Sequence, residues 1–294
     1  MSPTSHVIPR ACEKSCRFGV QDSGLAEIPA ALHANRDSTY VHRGAFALNT
    51  VEMATAGQLF LGIRGVVFDA VGTLIHPAPP APAVYAEIGR RFGSRWTQTE
   101  IGKRFRAAFQ REEAEDRPGL RTSEDREERR WRHIVSEVLD DVADKEACFR
   151  ILFDHFAQPA AWRCAPETGP LLSTLAARGY RLGIASNYDR RLRSVVAGMP
   201  ALAPVKHLII SAEVGWRKPA AEFFAAVSAA LKLPPGEILF VGDDRTNDYE
   251  GGRSFGMQVI LFDSREKMIG TDVVRIKSLS ELLAMLPSAP QDQP

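Results

Sequence analysis

Short apolar runs recur along this chain, and several stop at a polar residue or a glycine. RGVVFD (64–69), YRLGIAS (180–186), HLIIS (207–211), EILFVGD (237–243) and QVILF (258–262) are rich in Val, Ile, Leu and Phe. Near-continuous apolar runs of this length are the pattern of strands covered on both faces, as in a parallel sheet. Helix-length segments separate the later runs: LLSTLAARG (171–179), AAEFFAAVSAALKL (220–233) and DYEGGRSFG (248–256). The alternation predicts an α/β fold, a doubly wound parallel sheet with helices on both faces. Pro219 is expected at the first helical position of the 220–233 segment, where its missing N–H costs nothing.

One stretch breaks the alternation. Between residues 80 and 165 no good strand is legible, while TEIGKRFRAAFQREEAE and SEDREERRWRHIVSEVLDDV read as helices rich in Arg and Glu. Charges of both signs at helical spacing usually mark solvated faces with local ion pairs. Arg104, Arg106, Arg126 and Arg130 are therefore expected to face water for the most part. An all-helical insertion after the first strand is expected to form a second, smaller domain (80–165) over the C-terminal edge of a sheet domain (61–79 and 166–286).

Charge and apolar patterning exclude several classes of partner. The 37 basic and 36 acidic residues cancel, so no global field draws in nucleic acid or anionic lipid. No uninterrupted apolar run approaches the roughly 18 residues of a membrane span. Cys12 and Cys16 are not followed by a second pair of metal-like spacing, and four cysteines are too few for a disulfide scaffold. Residues 1–60 carry no sustained period and no compact apolar core behind a basic start. Glu13, Asp22, Glu27, Asp37 and Glu52 argue against a transit peptide. The segment is expected to be a disordered extension ahead of the patterned region, which Met53 closely precedes, with a short tail at 287–294. A cytoplasmic location is expected.

The polar residues that end the strands carry the chemistry. Asp69 follows the first run, Ser186 and Asn187 the second, Asp243 and Asp244 the fourth, and Lys218 lies in the loop entering the 220–233 helix. Each alone has an ordinary explanation, such as capping the next helix. In an open α/β sheet, however, ligands bind beyond the C-terminal strand ends, and all these residues fall at that edge.

Their order, DAVGT, then ASN, then GWRKP, then VGDDRTNDYEGGRSFGM, resembles the four motifs of the haloacid dehalogenase-like hydrolase superfamily over roughly residues 62–265. The resemblance includes the place where that superfamily inserts a helical cap. It implies that Asp69 is a nucleophile forming an aspartyl-phosphate, with Ser186 and Lys218 contacting a phosphoryl oxygen. It implies Mg²⁺ held by Asp69, the Val71 carbonyl, Asp243 and Asp248, with Asp244 and Asn247 completing the shell directly or through water. Thr73, Ser186, Asn187 and Lys218 are assigned to substrate binding, Thr73 also belonging with Gly72 to the turn after the nucleophile. The expected substrate is a small phosphorylated metabolite, with no nucleic acid or membrane partner and a monomeric or homodimeric chain.

Val71 departs from the pattern. The superfamily's phosphatases usually carry there a second aspartate that protonates the leaving oxygen, and valine has no proton to give. Three readings follow. One is a Mg²⁺-dependent phosphatase, slow or selective, working on acyl phosphates or on substrates that bring their own acid. Another is a hydrolase of C–halogen or C–P bonds, for which the phosphonatase chemistry requires a cap lysine that Lys103 or Lys145 would have to provide. The third is an inactive fold kept as a binding module.

Overall fold

A computed structural model of the chain describes residue 60 and residues 62–116, 119–266 and 273–290. Apart from Phe60, the expected N-terminal extension, with Met53, Cys12 and Cys16, lies outside the described residues, as does the end of the tail from 291. In chain order the strands and helices are β1 (Gly65–Phe68), β2 (Ile75–Pro77), α1 (Ala81–Arg91), α2 (Gln98–Asp116), α3 (Glu124–Val138), α4 (Lys145–His155) and β3 (Trp162–Cys164). There follow α5 (Thr168–Ala177), β4 (Arg181–Ser186), α6 (Arg191–Ala197), β5 (His207–Ile210), α7 (Ser211–Val214), α8 (Ala221–Leu231), β6 (Ile238–Gly242), α9 (Gly251–Ser254), β7 (Gln258–Phe262), β8 (Arg275–Ile276) and α10 (Leu282–Met285).

Six strands form one parallel sheet in the order β5-β4-β1-β6-β7-β8. The chain builds outward from β1 to β5 on one side, then returns to β6 on the other. The C-terminal end of β1 is thus the switch point of the sheet, where such folds hold ligands. Strand periodicity explains the unbroken apolar runs. Val66, Phe68, Leu182, Ile184, Leu239 and Val241 enter one apolar cluster, while Val67, Ala185, Ile238 and Phe240 enter a second one on the opposite face with Phe223, Phe224 and Val227 of α8. Neither face is left for water.

Helices α1–α4 carry an apolar cluster of their own, with Val84, Ile88, Ile101, Ile134, Val138 and Phe149 buried. Ser123 caps α3 by accepting from the Arg126 N–H, and Glu124, Asp125 and Glu127 occupy its positive end. No helix among the described residues is long and apolar enough to cross a membrane.

Several expectations need correction. The stretch 80–165 does contain a strand: β3 pairs antiparallel with β2, so the two points where the chain enters and leaves the helical layer are joined. Three residues per strand are too few to show a period. The two-residue β8 escaped for the same reason. Pro219 is not at the first turn of α8, because Ala220 is the N-cap and its N–H closes a preceding turn onto the Arg217 carbonyl. Segment 248–256 is not one regular helix: a wide turn over Arg245–Glu250 precedes α9. Asp244 caps that turn, accepting from the Asn247 N–H at 2.7 Å.

Candidate active site

The strand ends bring Asp69, Ser186, Lys218, Asp243 and Asp248 together at the floor of a cavity of about 1020 Å³. Asp69 leaves β1 with its N–H bonded to the Val241 carbonyl at 2.8 Å, which ties it to the end of β6. The chain then turns sharply at Gly72, with φ +103°, and a Cβ there would lie 2.5 Å from an Asp243 oxygen. Only glycine meets both demands. Gly242 is similarly constrained, since a side chain on it would collide with the Asp248 carboxylate.

Lys218 is the centre of the arrangement. Its ammonium donates to Asp69 Oδ1 at 2.7 Å, to Asp248 Oδ1 at 2.6 Å and to the Ala185 carbonyl at 3.1 Å, so all three protons are used. Burial alone would pull the lysine pKa down, but the Asp248 and Asp69 carboxylates outweigh it and hold Lys218 above the usual lysine value. Ser186 donates to the same Asp69 oxygen at 3.2 Å. Asp69 Oδ2 accepts no hydrogen bond among the described residues.

Asp69, Asp243 and Asp248 each offer an oxygen within 4.8 Å of the others. Set against one ammonium, three carboxylates leave two net negative charges when ionised. Asp243 opens on the cavity, yet loss of hydration against the protein wall and the Asp69 charge push it up to about 6. Burial pushes Asp248 up to about 7 despite the opposing pull of Lys218. A cluster of hard oxygen donors that resists full ionisation is suited to a divalent cation. Asp244 is exposed and its carboxylate serves its own turn. If the cluster holds a divalent cation, Asp243→Ala is expected to abolish its binding in a calorimetric titration with Mg²⁺. Asp244→Ala should retain binding and lower stability by about 1 kcal/mol, the value of a helix-type cap.

Two sequence-assigned residues sit differently from expectation. Thr73 is fully buried, does not line the cavity, and donates to Asp243 Oδ1 at 3.3 Å. Asn187 lines the cavity, but its amide is engaged on both sides by the Lys218 main chain, donating to the carbonyl at 3.1 Å and accepting from the N–H at 2.8 Å. Both hold the functional groups in place.

The helical layer contributes charge and rings that were not foreseen. Arg130 does not face water. It is 6% exposed, lines the cavity, and shares Glu113 Oε1 with Arg217, each at 2.7 Å. Glu127 completes the cluster, accepting from Thr122 at 2.7 Å and lying 3.5 Å from Arg217. Arg106 and Arg126 are exposed as expected, and Arg104 lies half-buried against Asp140. Leu120 and Thr122 bond to the main chain of Arg217 and Gly215, one on each side of the Arg121–Trp216 bridge, immediately before Lys218. Arg217 is not distinguished in the sequence from the neighbouring Lys218, and the adjacent basic pair is its only local signal. Six rings, Trp162, Phe156, Tyr85, Phe105, Phe109 and Trp131, form a contact series along the cavity with neighbouring centroids 5.3–6.3 Å apart. The FRAAF spacing of Phe105 and Phe109 was its local trace in the sequence.

A parallel α/β sheet with an acidic nucleophile candidate at its switch point, an ion-paired lysine and a carboxylate triad defines a hydrolase class. The family model for haloacid dehalogenase-like hydrolases matches residues 63–256, and the chain belongs to that family. It is 27% identical over 237 residues to haloacid dehalogenase-like hydrolase domain-containing protein 3 of Homo sapiens, covering 78% of this chain and 94% of the relative. Among solved structures, a HAD phosphatase from Thermococcus onnurineus superposes with a TM-score of 0.55 at 25% identity, covering 77% of this chain and 99% of the other. The 2-haloacid dehalogenase of Pseudomonas syringae pv. Tomato DC3000 shares the fold at 21% identity and TM-score 0.55, covering 76% of this chain and 97% of its own.

Proposed function

We propose that the chain is a Mg²⁺-dependent phosphatase that works through an aspartyl-phosphate on Asp69 and acts on a small phosphorylated metabolite. Residues 80–165 form its cap over a core of 61–79 and 166–286. The observation that carries this reading is the carboxylate triad built around Lys218. Asp69, Asp243, Asp248 and the Val71 carbonyl are the oxygens that would hold Mg²⁺, with Asp248 retaining lone pairs beyond those given to Lys218 and the Asp244 N–H. Held there, Mg²⁺ would neutralise the cluster and polarise the phosphoryl group.

The chain's own residues account for the rest. Lys218 and Ser186 fix Asp69 Oδ1, leaving Oδ2 to attack phosphorus. Both donors stand beside the attacking carboxylate, where the Lys218 charge offsets the negative charge that gathers as phosphorus is approached. Asn187 clamps the Lys218 main chain, and Thr73 holds Asp243. Val71 lines the cavity and packs on the apolar cluster below, so no proton reaches the leaving oxygen from this position. Lys103 and Lys145 are exposed and lie off the cavity, which counts against the C–P hydrolase reading.

Acid-quenched incubation with radiolabelled acetyl phosphate and Mg²⁺ tests the reading. Label should remain on the chain, be released by hydroxylamine, and map to the peptide containing Asp69. Absence of label together with absence of turnover would instead favour an inactive binding fold. Val71→Asp should raise turnover of alkyl phosphates by about 10²–10⁴ and change acetyl phosphate turnover far less, because proton donation matters most to basic leaving groups. Steady-state kinetics on the two substrates checks this.

A further inference from the structure

The cavity above Asp69 has a distinct chemical character. Phe105, Phe109, Trp131 and Phe156 are half-buried, so part of this ring series borders the open cavity. Behind them Tyr85 and Trp162, 2% and 5% exposed, pack against Phe105 and Phe156 and support this wall towards the strand ends. A volume of about 1020 Å³ is at the upper end of the range for small-molecule sites, enough for a fused ring system above the phosphoryl position. Apolar ring surface held open to water is recovered as binding free energy when a flat apolar group covers it.

The charges of the cavity point the same way. Arg130 and Arg217 are committed to Glu113 and Glu127, and Arg191 holds Asp189 through two contacts at 2.8 and 2.7 Å. A second phosphate or a carboxylate on the substrate would have to compete with these carboxylates for the same guanidinium groups. The wall therefore favours an uncharged group on the phosphate. Val71 adds an independent constraint, since this position has no proton to give the leaving oxygen.

We propose that the site takes phosphate monoesters of flat apolar hydroxyl compounds, phenols and enols, whose oxyanions are stabilised by conjugation. This deepens the phosphatase reading and rests on it. In the first step an Asp69 carboxylate oxygen forms a bond to phosphorus, the P–O bond to the ring breaks, and its electron pair stays on the conjugated oxyanion. That oxyanion later takes a proton from solvent. In the second step water adds to phosphorus of the aspartyl-phosphate, the carboxylate of Asp69 is released, and the proton of the water leaves on the product as dihydrogen phosphate.

Binding of non-hydrolysable phosphonates to the wild-type chain with Mg²⁺ tests the proposal. Tryptophan fluorescence and calorimetry read the affinities of 1-naphthylphosphonate and methylphosphonate, each displaced by inorganic phosphate to confirm the shared site. The naphthyl compound should bind at least about tenfold more tightly. Trp131→Leu, checked for an intact fold by circular dichroism, should bring the ratio back towards one; if that variant does not fold, the wild-type ratio decides. Equal affinities for the two phosphonates, with acetyl phosphate still hydrolysed, overturn the aryl proposal and leave the phosphatase reading standing. If neither phosphonate binds and acetyl phosphate is not hydrolysed, both fall.

Discussion

Asp69→Asn is expected to lower turnover of acetyl phosphate by about 10⁴–10⁶-fold, the range for loss of a covalent nucleophile. The amide keeps the shape of the carboxylate and still offers an oxygen to Ser186 and Lys218, the two donors on Oδ1. It carries no charge and makes a poor nucleophile. Its effect on folding should run the other way. The substitution takes one negative charge from three buried or half-enclosed carboxylates facing a single ammonium. Relief of that repulsion should leave the metal-free melting temperature unchanged or raised. Loss of turnover with a stable fold separates a nucleophile from a structural aspartate. Comparable loss of melting temperature and activity would assign Asp69 a structural role instead. Kinetics and scanning calorimetry on one preparation decide the matter.

Lys218→Met should be costly in both respects. The ammonium is 3% exposed and holds Asp69, Asp248 and the Ala185 carbonyl. Methionine keeps much of the length, but it leaves two buried carboxylates without their cation. Removing one partner of a buried pair typically costs about 3–5 kcal/mol, which corresponds to a fall of roughly 6–20 °C in Tm for a domain of this size. Turnover should fall by about 10²–10³, the effect of losing one donor that stabilises transition-state charge. Mg²⁺ adds a signature. The variant cluster is more negative than the wild-type one, so saturating Mg²⁺ should raise the Tm of Lys218→Met more than that of wild type. A variant as stable as wild type without metal would contradict the buried ion cluster.

The parts of the site that lie at strand ends were legible in the sequence, because an acid or serine after an apolar run has few other places to go, and Lys218 was legible from its GWRKP motif. Asp69, Ser186, Lys218, Asp243 and Asp248 all meet at the sheet's switch point. The sequence left the helical layer far less defined. Alternating Arg and Glu have the same spacing whether they face water or each other, so the Glu113–Arg130–Glu127–Arg217 cluster looked like a solvated surface. The aromatic series joins residues from α1, α2, α3 and the approach to β3, and no local period links them. Thr73 and Asn187 were placed correctly along the chain, but their hydrogen-bond partners lie 170 and 31 residues away. Sequence order shows where such a hydroxyl or amide sits; it does not show what it touches.

The main-chain pairing of Leu120 and Thr122 with Gly215 and Arg217 limits how freely this protein's parts can be exchanged. Swapping the whole insertion for one from another sequence would remove the outer partner of the segment that delivers Lys218. A transplant that ends at the β2–β3 ribbon would respect the two covalent junctions and still break this third, non-covalent seam. A working chimaera therefore has to bring along the 119–122 loop, or redesign 215–217 to match the new lid. The 119–122 loop is tied by its main chain to the segment that carries Lys218.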